Sequence, residues 1–276
     1  MESLPVIQSV WERLQELKEF LDYPPKEADW RRPIDNLIQH VMAHAPCSYL
    51  LVEVPLALGI STTVQLNYTI ADTVVLQPHG IGAIFPGRLR ESSCFGPDPF
   101  ALHMIHFAAE YKSASSAANR IIYDLSTALY HKRALGLKAQ AVFGTSADEG
   151  PCVAGWIAHW DNDVPTISSA GVYNLLYLPS LIEFFLFLTF ASSKLDAYYQ
   201  QLHAVTMESI CTAQESYQGS WRADMHLHGP LGIDQGEEGG GSSGEDSGDH
   251  VSGHQGKQKY SKELGGEEAA WEDAMV

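Results

Sequence analysis

Glu110 and Lys112, two residues apart at the end of the apolar run Phe100 to Lys112, are a pair whose types and spacing could do chemistry. In an extended strand alternate side chains share a face, so the carboxylate and the ammonium point one way and Tyr111 the other. A carboxylate and an amine side by side at a strand end can hold a divalent cation and neutralise an oxyanion. An ordinary surface ion pair has the same short signature, so the surrounding elements must decide between the two.

Those elements read as a mixed α/β chain. Val6, Val10, Leu14, Leu17 and Leu21 form one stripe of an amphipathic helix over residues 5–22, which Pro24-Pro25 stops. A second helix is expected from Pro33, at the favoured first position, to Ala45, with Ile34, Leu37, Ile38, Val41 and Met42 inward. Arg31 and Arg32 stand at its entry and read as solvated surface charges. Short β-branched and aromatic runs follow at 49–54, 62–68 and 71–76, and Asp72 opens the last of them, as either a solvated strand end or a cation ligand. Residues 78–99 are a Gly/Pro-punctuated connection of a length that is usually functional, inserted or disordered.

After the Glu110 strand, Ser113–Ser116 supply cap candidates for a helix over 117–135 with Ile122, Leu125 and Leu129 inward and Gly136 at its end. Strands are expected at 138–145 and 152–160, joined by the turn 147–151, and two more short ones at 165–169 and 172–177. A helix over 180–203, apolar nearly all round in its first half, is expected to be deeply buried and to close the core. The expected architecture is therefore α/β (α+β): a central mixed sheet flanked by helices, with two N-terminal helices (1–47), a core (48–210), and a linker with an acidic Gly/Ser-rich tail (211–276). That tail composition cannot bury enough apolar surface to offset chain entropy, so disorder is expected there.

Charge and composition narrow the function classes. Of the formal −17, residues 231–276 contribute −8, eleven acids against three lysines, so the folded part is only mildly acidic and lacks the basic stripe of a non-specific nucleic-acid binder. Cys47, Cys94, Cys152 and Cys211 are scattered without a C-x-x-C spacing, as expected of reduced intracellular thiols rather than a zinc site. The acidic start Met1-Glu2-Ser3-Leu4-Pro5 is unlike a signal peptide. The hydrophobic run Leu175 to Ala191 is broken by Pro179 and Glu183 and reads as core rather than as a membrane span. An intracellular location, in cytoplasm or nucleus, is the expectation.

The order of motifs carries a resemblance. Strands with an internal Asp, a strand ending Ala109-Glu110-Tyr111-Lys112, a helix with Asn119-Arg120 and Tyr123, the strand Ala141-Val142-Phe143-Gly144 and a strand with Trp156 resemble the PD-(D/E)XK (restriction-endonuclease-like) nuclease superfamily. The likeness covers roughly residues 48–204 and is most similar to uncharacterised members common in fungi. It implies a restriction-endonuclease-like core and Mg²⁺-dependent phosphodiester hydrolysis on nucleic acid, and it names no protein partner. An acid on the preceding strand and Glu110, with the backbone carbonyl of Tyr111, would hold the metal, which would lower the pKa of a bound water. Lys112 would orient that water or neutralise charge, a contribution of about 3–4 kcal/mol. Arg120 and Tyr123, three apart on one helix face, would contact the phosphate backbone.

Two departures stand out. Arg120 occupies a position where such proteins often have Gln. The metal-binding acid has two candidates: Asp98, which spells Pro-Asp literally in Gly96-Pro97-Asp98-Pro99, and Asp72, which lies 38 residues before Glu110. Flanking prolines suit a turn better than a paired strand, so Asp72, held on a rigid sheet, is favoured and Asp98 is the alternative.

A reading from another class is a catalytically degenerate fold that acts as an interaction module, consistent with the acidic balance and Arg120. A histidine-based metal site has less support, because His103 and His106 fall on opposite faces of a strand and His226 and His228 lie in the expected tail.

Overall fold

Burial on both faces is what a strand needs to sit in the middle of a layered sheet, and β3 (His103–Tyr111) is buried along nearly its whole length. The computed structural model describes residues 3–19, 25–43, 48–57, 68–78, 103–112, 117–148 and 150–215, all within the unit Met1–Gly232. Around β3 lie β1 (Tyr49–Ala57), β2 (Tyr68–Pro78), β4 (Val142–Ala147), β5 (Cys152–Asp161) and β6 (Val164–Asn174), in the sheet order β1-β2-β3-β4-β5-β6. Neighbours are antiparallel except β3 and β4, which are parallel and joined by α3 (Ala117–Ala134). The expected mixed sheet flanked by helices is what forms.

The two faces are covered by different parts of the chain. Phe107, Ala109 and Tyr111 pack with α1 (Ser3–Glu19), α2 (Glu27–Met42) and α4 (Leu178–Ser192). Val74, Leu76, Ile105 and Ala108 pack under α3, through Ile121, Leu125 and Ala128. The α3 contact is close: a Cβ on Gly144 would stand 3.0 Å from Ile121 Cδ1 and Leu125 Cδ2 and 3.1 Å from the Ala108 carbonyl oxygen. Gly144→Ala is therefore expected to destabilise the fold by about 1–3 kcal/mol through overpacking, read as a lower urea midpoint at unchanged slope.

Several element boundaries differ from expectation, each for a local reason. Helix α2 begins at Glu27 rather than at Pro33, because the Asp29 carboxylate accepts the Lys26 N–H at 3.0 Å and starts the helix one turn and a half earlier. Pro33 is then an interior, buried residue. Helix α3 buries Ile121 rather than Ile122, and it ends in two reverse bonds, Gly136 N–H to Arg133 O at 2.9 Å and Leu137 N–H to Lys132 O at 2.8 Å. A turn at 138–139 follows, so β4 starts at Val142 instead of 138. The N-terminus of α3 is capped from a distance, Ala117 N–H donating to Asp148 Oδ1 at 2.8 Å; Ser113–Ser116 lie outside the described residues.

The expected strands 165–169 and 172–177 are one continuous β6. The expected helix 180–203 is two, α4 and α5 (Leu195–His203), separated at Ser193-Lys194. Within the run Leu178–His203 an 18-residue window reaches a mean hydropathy of 1.4, enough by length and composition to cross a membrane. In the fold α4 is one-sided rather than buried all round: Phe184, Phe187 and Leu188 face the core, while Ile182, Leu186 and Phe190 are 40%, 59% and 47% exposed. A last helix, α6 (Met207–Glu215), runs past residue 210 and buries Ile210. The connection beyond Pro78, most of the expected strand 62–68, Asp98 and the acidic tail lie outside the described residues.

Candidate functional site

The register of β2 on β3 decides which side chain stands beside Glu110. Thr73 pairs with Ala109, so one step further Asp72 stands across from Glu110. Residues opposite one another in an antiparallel pair carry their side chains on the same face. The Asp72 N–H donates to Glu110 Oε1 at 3.1 Å, and the Tyr111 N–H donates to Asp72 Oδ2 at 2.8 Å. Lys112 Nζ lies 3.1 Å from Asp72 Oδ2 and 3.6 Å from Glu110 Oε2. The Lys112 N–H continues the parallel ladder onto Ala147 O at 3.0 Å, which fixes the strand end. Asp72, Glu110 and Lys112 thus meet at one point.

The remaining expected residues lie around this point. Arg120 is exposed and Tyr123 half-buried on the first turns of α3, outside the bonds that tie the three together. Trp156 on β5 donates to Ser146 Oγ at 2.9 Å, and Ser146 is the register partner of Glu110 on β4. His103 and His106 do lie on opposite faces: His103 meets the Tyr49 ring at 5.1 Å, whereas His106 sits between Phe143 and Tyr198.

On the other face α2 reaches the same strands. Asp35 Oδ1 accepts from Tyr111 Oη at 2.9 Å and from Thr73 Oγ1 at 3.0 Å, while its Oδ2 is 3.0 Å from Arg31 Nε. Arg31 also donates through Nη2 to the Asp72 carbonyl. Arg31 is therefore not solvated surface; it ties α2 to the backbone of the residue beside Glu110, whereas Arg32 is exposed. Burial raises the Asp35 carboxyl, and the bonds from Tyr111, Arg31 and Thr73 offset part of that rise. Tyr111→Phe removes one of these bonds and is expected to cost about 1 kcal/mol in denaturant unfolding; an unchanged midpoint would show that the Tyr111 hydroxyl carries no stability.

A fourth charged residue escaped the sequence reading. Asp124 on α3 is fully buried, and neither of its carboxylate oxygens has a hydrogen-bond partner. Glu110 is equally buried and its Oε2 is also without one. Glu110 and Thr69 are the neighbouring polar groups of Asp124. Two carboxylates cannot donate to each other; with one proton between them they become a donor and an acceptor. Burial pushes the Asp124 carboxyl well above its usual range, and the charge of Glu110 adds to the rise. Burial raises Glu110 as well, and the neighbouring Asp124 carboxyl, which can share a proton with it, works against that rise. The sequence signal was an acid within the stripe Ile121, Asp124, Leu125, Ala128, hidden when Ile122 was taken as the inward residue.

Among the described residues no three His, Cys, Asp or Glu side chains form a ready metal cage. The carboxylates instead stand as two pairs that share Glu110: Asp72 with Glu110 at Lys112, and Glu110 with Asp124 beneath. Mg²⁺ is commonly held by one or two carboxylates, with waters and substrate phosphates completing its shell, so a pair with an orphaned oxygen suits it. No family model, curated protein or solved structure matches the chain.

Proposed function

We propose that this chain is a Mg²⁺-dependent phosphodiester hydrolase of the PD-(D/E)XK nuclease-like type, acting on nucleic acid inside the cell and not at a membrane. The observation that carries the reading is the meeting of Asp72, Glu110 and Lys112, with Lys112 Nζ 3.1 Å from Asp72 Oδ2, across 38 residues of chain between the two acids. The element order gives further support: α2, three antiparallel strands, α3, and β4 parallel to β3 place Glu110-Tyr111-Lys112 at a strand end just before a helix, as the resemblance implies.

In this reading Asp72 and Glu110, with the Tyr111 carbonyl, hold the cation. Bound there, Mg²⁺ supplies Lewis-acid charge on the phosphate and a more acidic water. Lys112 shifts from bridging the two carboxylates to orienting the water or neutralising the phosphoryl oxygen. Arg120, exposed on α3, and Tyr123, half-buried one turn on, would contact the phosphate backbone in this reading. A Mg²⁺- or Mn²⁺-dependent cleavage assay on DNA and RNA tests the reading.

A second reading is favoured by the same ammonium. Lys112 already compensates Asp72 and Glu110, as a structural ion pair would, and a nuclease-like fold that has lost catalysis could serve as an interaction module. The two readings part on metal: the interaction module predicts no Mn²⁺ binding that depends on Glu110.

A further inference from the structure

Near the strand end the charges do not balance. Asp72, Glu110 and Asp124 carry −3 when ionised and Lys112 carries +1, which leaves −2 in a region where Glu110 and Asp124 are fully buried. Arg31 is the other nearby cation, and it is paired with Asp35. Lys112 reaches Asp72 and, at 3.6 Å, Glu110 Oε2 from the strand end, so nothing positive among the described residues compensates Asp124, whose two oxygens make no hydrogen bond to a donor and stand beside Glu110. A buried carboxylate is normally paired, protonated or bound to a metal, because leaving it uncompensated is costly; without a metal, one proton held between Glu110 and Asp124 offsets part of this charge, and a divalent cation takes that proton's place. The helix that carries it packs closely on the sheet here, with Ile121 and Leu125 beside Gly144 on β4, and Asp124 is fully buried under it.

We propose that Asp124 is a further residue of the cation site: it supplies the carboxylate beneath Glu110 that draws a divalent cation onto the Glu110 Oε2 side and holds it there. This rests on the cation-binding reading above and extends it from two carboxylates on the sheet to a third on α3. The three then match one divalent ion and one ammonium in charge.

The test uses the full chain and Mn²⁺ alone, with binding read by electron paramagnetic resonance and calorimetry. Asp124→Asn is close to isosteric, and Asp124→Ser is made beside it; the result is read on whichever keeps the parent's metal-free near-ultraviolet circular dichroism. The expected result is Mn²⁺ binding by the parent, its loss in Glu110→Gln, and a weakening of about 10–100-fold in the Asp124 variant. Loss in Glu110→Gln with parent-like affinity in the Asp124 variant overturns the role of Asp124 and leaves the two-carboxylate site standing. No binding by the parent, or equal binding by the parent and Glu110→Gln, overturns both.

Discussion

Glu110→Ala is expected to abolish Mg²⁺-dependent cleavage, with a loss of at least about 10³-fold, while Lys112→Ala is expected to lower the rate by about 10²–10³-fold. The two differ because the residues do different things. Glu110 is held through Oε1, which accepts the Asp72 N–H at 3.1 Å, and it is the carboxylate common to both acid pairs, so on the proposed reading removing it takes away the cation's anchor. In the proposed mechanism Lys112 would take charge from the phosphate without holding the metal, so its loss would leave a slower site. Glu110→Ala also opens space beside Ala109 and Ser146, and Glu110→Gln is the control that keeps the volume. Cleavage by Glu110→Gln at the parent's rate would remove the mechanism, and metal-independent cleavage would remove the role of Mg²⁺.

The second large effect concerns stability against pH. His106 lies wholly inside the fold, with Nε2 bonded to the Ala191 carbonyl at 2.9 Å and Nδ1 without a partner. Burial, together with the nearby charge of Lys132, lowers its pKa from 6.5 to about 3. Between those values the unfolded chain binds a proton that the folded chain does not. The contribution is fully present above pH 6.5 and is lost as pH falls towards 3. Over the whole window it is of the order of 5 kcal/mol.

Lys132, buried with Nζ bonded to the Ala141 carbonyl at 2.8 Å, follows the same sign at higher pH. Burial lowers its pKa from 10.5 to about 7, so stability rises from pH 7 to 10.5. Glu110 and Asp124, raised in the fold, act oppositely and lose their contribution as pH rises. The measurement is therefore a difference: urea unfolding of the parent and His106→Gln from pH 4 to 8 is expected to show a shallower acid limb in the variant. Parallel acid limbs would mean that His106 is not the group that titrates.

What could be read from the sequence is what depends on neighbours along the chain. Alternation at Glu110, Tyr111 and Lys112 put the carboxylate and amine on one face, and the prolines around Asp98 argued for Asp72. The 3.6-residue stripes gave α1 and α3, and the β-branched runs gave most strands. The misreadings share a cause. The start of α2 was drawn to Pro33, because the Asp29 bond to Lys26 is visible only in three dimensions. The first half of 180–203 was expected to be buried all round, because apolar composition does not say how many neighbours a helix has. One misplaced inward residue, Ile122 for Ile121, was enough to hide Asp124.

By itself the sequence determined the mixed α/β character, the Glu110–Lys112 pair and the candidacy of Asp72, since each follows from local periodicity and backbone chemistry. Only the tertiary structure decided that Asp72 stands opposite Glu110, that Arg31 and Asp35 brace their strands from α2, and that Asp124 lies buried beneath them. Those are relations between residues 38 or more positions apart, or between a helix and a sheet face, and they are fixed by strand register and by which side of a helix the core takes. No local pattern in the chain encodes either one.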